Sequence, residues 1–385
     1  MTGPRRVCVV TETYPPEING VALTLAHLVG GLRARGHSVS VVRPRQPGDE
    51  RVLAHRHLDD DVTLVAGVAL PGYEEVRAGL PASGTLWRLW TRRRPDAVYV
   101  ATEGPLGWSA VRTAERLGVP AFSGLHTKFA EYARHYRVGW LAPAIRRYLC
   151  RLHNRTRGTL VASAQLGDQL RAAGFRNVSV LGRGVDSERF DPARRSLALR
   201  ASWRAGEGDP VALYVGRLAP EKNVPLAIEA YRAMRRAHSG SRLVIVGDGP
   251  ARRPLERAHP DLVFCGMRTG DQLAAHYASA DLFLFPSETE TFGNVTLEAM
   301  ASGLVVVAYD YAAAHTHIAH GESGVLVPRG DTSAFVESAA ALARWPDCLP
   351  PMRRRAREHA ASVDWSGVVE QFEAFLTGAL EAQWR

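Results

Sequence analysis

Lysine is almost missing from this chain. Of its 48 basic residues only two, Lys128 and Lys222, are lysines, and the other 46 are arginines. A bias of that size reflects the coding genome and carries no function itself. It does mark two positions where a compact, movable ammonium stands in place of a guanidinium. Cysteine is scarce too: Cys8, Cys150, Cys265 and Cys348 stand far apart, with neither metal-ligand spacing nor a disulfide framework. Buried thiols in a reducing compartment are the expectation. No apolar run approaches the roughly 18 residues of a membrane span, and the run in MTGPRRVCVVTETYPP is too short for a signal-peptide core. With low-complexity stretches also missing, a membrane-spanning, a disulfide-stapled and a collagen-like protein are set aside, and a cytoplasmic globular one is expected.

What is present is length and apolar content enough for two ordinary domains, at 385 residues and 46% apolar. The charge is uneven: residues 1–190 carry a net +11 and the remainder −2, so the two parts face different partners. Short β-branched runs alternate with helical stretches. RVCVVTE, HSVSVVRP, DAVYVAT and PAFSGLH read as strands, with Leu25, Leu28, Val29 and Leu32 on one helical stripe between the first two. The pattern restarts at VALYVGR and continues through RLVIVGDG, LVFCGM, DLFLFPS, LVVVAYD and SGVLVP. Uninterrupted apolar strands between helices predict parallel sheets covered on both faces, which bind ligands at the strands' carboxyl ends. The charged, turn-rich stretch 186–209 is read as the crossing, giving domains 1–190 and 191–364, with a terminal helix over 365–385 packed back on the first.

Several strand ends carry residues suited to a phosphorylated ligand. GRLAPEKN sets Arg217 and Lys222 five apart, a fork and a point charge that suit a diphosphate or, equally, form a solvated basic loop. Asn19-Gly20 precedes the first helix, where a glycine lets a phosphate approach the positive helix end; a simple turn is the alternative. VGDGP, with Gly249, lacks the spacing of a dinucleotide fingerprint. FCGM, with Gly266 and Met267, offers backbone to a nucleobase edge or is a plain turn. His126 in SGLHTKF is a candidate reacting-centre residue beside the bland reading of a structural histidine. In SETETFGNVTLEAMASG, Asn294 is the expected helix cap and Gly303 the residue after the helix. Glu298 has a structural excuse near the positive end of that helix. Glu290 has none.

These motifs, in this order, resemble the retaining GT-B glycosyltransferases of family 4 along nearly the whole chain, Glu290 and Glu298 matching their E-x7-E motif. PPEINGVALT, TEGPLGWSA and AYDYAAA are similar to the GDP-mannose-dependent α-mannosyltransferases and related glycolipid synthases. The resemblance implies an α/β chain of two Rossmann-like doubly wound domains facing across a cleft, the first taking the acceptor and the second the nucleotide-sugar. It implies that Arg217 and Lys222 hold the donor diphosphate with no metal, and that Asn19 and Gly20 bring backbone amides to it. Glu298 would accept from the ribose. Glu290, with Phe292, Gly293 and Asn294, would hold the donor sugar beside His126, while Gly249, Gly266 and Met267 would lie at the nucleotide. Where many members carry a Gly-Gly-x-x-Glu loop, this chain reads DYAAAHTHIAHGESG, which loosens the choice of donor sugar.

The implied reaction moves a hexose, mannose from GDP-mannose first, to a hydroxyl of a lipid or glycan in α-linkage, with no permanently bound cofactor. The alternatives are a glycolipid synthase using UDP-glucose or UDP-sulfoquinovose and a GT-B sugar-nucleotide epimerase. Segment 128–157 holds eight bases and one acid among Tyr132, Tyr136, Trp140 and Tyr148. That pattern suits an anionic membrane at the inner face of the cell, against a plain solvated helix face. Nucleic acid explains the charge but none of the motifs.

Overall fold

A computed structural model of the chain describes residues 3–378, except 18, 47–48, 50–60, 71–72 and 127–141. Lys128 and half of the basic segment 128–157 therefore lie outside the described residues. The chain divides into two compact units, 1–182 together with 365–385, and 183–364. The division falls after Gly182, not after residue 190, because 186–209 folds into the second unit. There Arg200, 1% exposed, and Arg195 reach Asp281, each at 3.0 Å.

The first unit is built on a seven-stranded parallel sheet. Its order is β3 (Val62–Val65), β2 (Ser38–Pro44), β1 (Arg6–Val10), β6 (Ala97–Val100), β7 (Ala121–Leu125), β8 (Thr159–Val161), β9 (Val178–Val180). An antiparallel pair, β4 (Gly67–Leu70) and β5 (Tyr73–Gly79), stands apart from it. Val9 pairs with Val41 on one side and Tyr99 on the other, and alternate residues feed two cores. Val7 and Val9 pack under helix Gly20–Ala34 and the terminal helix Trp365–Leu376, where Leu28 and Val29 share a cluster with Val369 and Phe372. Cys8 and Val10 face the other way, onto Leu86, Trp90 and Leu106 of helices Ser83–Arg92 and Pro105–Leu117. Strands β8 and β9 carry only three residues each, too few for a period to show in the sequence.

All six strands expected between residues 211 and 328 form the sheet of the second unit. The order is β12 (Val263–Gly266), β11 (Arg242–Val246), β10 (Val211–Val215), β13 (Leu282–Phe285), β14 (Val305–Tyr309), β15 (Gly324–Val327), parallel throughout. Chain order reverses between β1 and β6 in one sheet and between β10 and β13 in the other. At such a reversal the loops leaving neighbouring strands diverge to opposite faces and open a crevice at the carboxyl ends.

Candidate functional site

The crevice of the second unit lies between the loops that leave β10 and β13. After β10 the chain turns through Gly216 into a short turn of helix, Pro220–Lys222. Arg217 is ion-paired there with Glu221, whose side chain is 1% exposed. A carboxylate that deeply buried persists because a guanidinium is set against it. The backbone carbonyl of Glu221 also accepts the amide of Glu288 at 3.0 Å, which stitches this loop to the one leaving β13. Across that seam Lys222 Nζ is ion-paired with Glu290 Oε1, both side chains 13% exposed, and Ser287 Oγ donates to the same oxygen at 2.7 Å. Lys222 also lies 6.0 Å from the ring centre of Phe285. One of the chain's two lysines thus meets the one glutamate for which sequence offered no structural reason.

The helix beyond Glu290 starts differently from the expectation. Asn294 is its first residue and caps nothing; the cap position is Gly293, at φ 94°, a conformation that favours glycine. That positive φ, rather than any lack of space, is what disfavours a side chain at the cap position. Glu298 is the fifth residue of helix Asn294–Ala301, past the first turn, so the helix dipole is a weaker excuse for it than sequence implied. Instead it accepts from Tyr277 Oη at 3.0 Å, and burial pushes its carboxyl up to about 7, the tyrosine offsetting this only in part. Gly303 follows the helix at φ 73°, as expected.

Phe292 is 5% exposed, and its carbonyl accepts the amide of Ala313 at 2.8 Å. Ala312, in the unusual AYDYAAA loop, holds φ 54°, which is costly for a residue with a Cβ. With Glu290, Phe292 and Thr296 it lines a small pocket. The loop after β11 docks on the Arg217 loop, Leu218 N–H donating to Asp248 at 2.8 Å and Ala251 N–H to Leu218 at 3.0 Å, so Gly249 is drawn alongside. Gly266 ends β12 at φ 68°, and Met267 stands 52% exposed beyond it.

The remaining candidates belong to the first unit. Asn19 caps helix Gly20–Ala34, its Oδ1 accepting from Val21 at 3.1 Å and Ala22 at 2.9 Å, and Gly20 is the first helical residue. His126 directly follows β7, 7% exposed, with Nε2 3.0 Å from the hydroxyl of Tyr99. In the crevice between β1 and β6, Glu12 is raised to about 7 by burial and then by Glu103. Of the basic segment's described part, Arg155 is held by Glu115 at 2.9 Å, while Arg146, Arg147, Arg151 and Arg157 are exposed.

Sequence reading missed Glu221, Tyr277, Tyr99 and Ser287, each of which holds a candidate residue in place. Glu221 alone left a signal, a carboxylate between two cations in GRLAPEKN.

Two family models match the chain: Glycosyltransferase Family 4 over residues 18–189 and Glycosyl transferases group 1 over residues 209–344. A GDP-mannose-dependent alpha-mannosyltransferase of Corynebacterium glutamicum is 33% identical, covering 98% of this chain and 88% of its own. One of Mycobacterium tuberculosis is 36% identical over 87% of each. Sulfoquinovosyl transferase SQD2 of Arabidopsis thaliana is 31% identical over 98% of this chain and 75% of its own. Among solved structures, Anabaena HepE in complex with UDP superposes with a TM-score of 0.78 at 18% identity, covering 97% of this chain and 100% of its own, a likeness of fold. The chain is therefore a glycosyltransferase of the GT-B fold, a member of family 4.

Proposed function

We propose that this enzyme transfers mannose from GDP-mannose to a hydroxyl of a lipid or glycan, with retention and in α-linkage. The observation that carries this is the meeting of Lys222 with Glu290 beside the Arg217–Glu221 pair, at the crevice between β10 and β13. Both cations stand on the loop that leaves β10 and suit a diphosphate in type, and the carboxylate of Glu290 suits sugar hydroxyls. In this reading the anomeric C–O bond to phosphate breaks while the acceptor oxygen bonds on the same face. The acceptor's proton passes to the departing phosphate oxygen, and Arg217 and Lys222 stabilise the charge that develops. Glu290 is a poor nucleophile for a double-displacement route, because Lys222 and Ser287 already engage its Oε1. Phe292, Gly293 and Asn294 line the sugar, Glu298 takes the ribose, and Gly249, Gly266 and Met267 take the nucleotide, while Asn19, Gly20 and His126 of the first unit keep the roles that the resemblance gives them. No metal is needed where two fixed cations supply the charge.

The names of the mannosyltransferase relatives favour GDP-mannose, while the sulfoquinovosyl transferase relative keeps a UDP-sugar as the second reading. Thermal-shift titration separates them, since a ligand that binds only the folded state raises its stability with ln(1 + [L]/Kd). GDP is expected to stabilise the protein at concentrations about tenfold below UDP. Selectivity for UDP moves the assignment to the second reading, and no response to either nucleotide rejects both. For a lipid acceptor, the exposed arginines of segment 128–157 predict sedimentation with phosphatidylglycerol vesicles at low salt; recovery in the supernatant leaves a soluble glycan.

Glu298 supplies a pH test. Its folded pKa, about 7, lies above the ordinary 4.5, so its contribution to stability is full below 4.5 and is lost as pH rises through about 7. Ribose hydroxyls donate best to an ionised carboxylate, so GDP affinity is expected to rise as pH passes 7. Glu298→Gln is expected to weaken GDP about tenfold at high pH and to flatten that dependence in calorimetric titrations. A variant that keeps the wild-type pH profile removes Glu298 from the ribose.

A further inference from the structure

The loop that carries Arg217 and Lys222 is held by a side chain that no motif marks. Tyr214 lies on β10, fully buried in the core that also holds Leu218 and Val224. Its hydroxyl donates to the backbone carbonyl of Arg217 at 3.1 Å. The same carbonyl accepts the amide of Ala219 at 3.1 Å, so both of its lone pairs are engaged. Burial, and then the charges of Glu290 and Glu221, push the phenol above its ordinary range, so it remains a donor at every working pH. The influence of those carboxylates, the partners of Lys222 and Arg217, puts the phenol close to both ion pairs.

Close backbone approaches keep the loop where that hydroxyl can hold it. A Cβ at position 216 would stand 3.1 Å from Tyr214 Oη, tighter than ordinary contact, so a glycine there leaves the hydroxyl its place. The loop after β11 presses on the same segment, backbone against backbone. A Cβ at position 247 would run into the carbonyl oxygen of Gly216, and one at 249 would come within 2.5 Å of that of Leu218. Only glycine fits at either position. The segment is therefore fixed by a phenol and by a second loop, and Arg217 and Lys222 ride on it together.

We propose that Tyr214 is the positioning residue of the two cations: by fixing the Arg217 carbonyl it sets the backbone from which Arg217 and Lys222 reach a nucleoside diphosphate. This rests on the reading of that loop as the diphosphate site. The phenol is buried and touches the backbone alone, so its effect follows the phosphates and spares base and ribose.

The test is calorimetric titration of the full chain with GDP and GMP, and with UDP and UMP. In the wild type the diphosphate of the preferred base is expected to bind about 100-fold more tightly than its monophosphate. In Tyr214→Phe, which keeps the ring in the core, that advantage is expected to fall about tenfold, with monophosphate affinity held within about twofold. An unchanged advantage in Tyr214→Phe overturns the proposal. So does an equal loss for both nucleotides, which is what a merely loosened fold gives. A wild type with no preference for the diphosphate rejects the diphosphate site itself, and the role of Tyr214 with it. Should Tyr214→Phe fail to fold, Gly216→Ala crowds the same hydroxyl from the loop and is expected to show the same selective loss. An unchanged advantage there overturns the proposal equally.

Discussion

Lys222→Ala is expected to lower kcat/KM by two to three orders of magnitude, the loss seen when one preorganised charge donor is taken from a developing oxyanion. Lys222 reaches the seam between two loops, meets Glu290, and is only 13% exposed, so its charge acts where water screens it little. Arg217 cannot take over, because Glu221 at its side already directs its guanidinium. Truncation also leaves Glu290 with Ser287 as a donor and no cation, which disturbs both halves of the donor site at once. Lys222→Arg is the sharper experiment. A planar fork is bulkier than an ammonium and pairs two oxygens of one carboxylate in preference to shifting between carboxylate and phosphate. It is expected to recover less than a tenth of the lost rate, by the same reasoning. If the arginine variant works at the wild-type rate, the survival of lysine here among 46 arginines has no chemical meaning. If the alanine variant keeps half its activity, the donor site lies elsewhere.

Asp281→Ala is expected to cost about 3–5 kcal/mol of stability, the price of breaking a buried ion pair from one side, and to lower the unfolding midpoint of the second unit by roughly 10 °C. Asp281 precedes β13 and is 6% exposed. It accepts from Arg195, Arg200 and Arg353, each at 3.0 Å, and from the amide of Val211 at 3.0 Å. Arg200 also donates from its Nη atoms to carbonyls of Ser279, Gly206, Glu207 and Asp209, at 2.9, 2.7, 3.2 and 2.6 Å. Without the carboxylate three guanidinium groups remain packed together without a counter-charge, and burial already pulls Arg353 below the ordinary arginine range. Asp281→Asn, which keeps the shape but turns one accepting oxygen into an NH2 donor and removes the charge, is expected to lose a large part of the same energy. Urea unfolding measures both. A loss under about 1 kcal/mol would place the cluster among screened surface pairs. Neither variant touches the loops bearing Lys222 and Glu290, so turnover well below the midpoint is expected to stay within about twofold, unlike the lysine variants.

Much of the fold could be read directly. A parallel strand covered on both faces is an unbroken apolar run, so VALYV, RLVIV and LFLF announce themselves and their carboxyl ends announce the loops. The strands Thr159–Val161 and Val178–Val180 do not, because three residues carry no period and their identity comes from neighbours already in place. The same contrast runs through the site. Arg217, Lys222 and Glu290 stood out because charge beside a glycine turn at a strand end has few structural uses, and Glu298 by its spacing from Glu290. Tyr277 and Tyr99 sat inside apolar segments and looked like core. Asn294 had the composition of a cap, yet a glycine at φ 94° took the position, because the turn there needs a backbone that only glycine adopts cheaply.

The sequence by itself determined the strands and which charged residues stand in the loops at their carboxyl ends, since local patterning of charge, glycine and apolar runs sets secondary structure and loop position. Only the tertiary structure decided their partners: Lys222 with Glu290, Arg217 with Glu221, Glu298 with Tyr277, His126 with Tyr99, and segment 186–209 with the second unit through Asp281. Most of those pairings join groups far apart along the chain. Their geometry is a property of which strands lie side by side and which helices cover them, and so is the burial that fixes each group's charge.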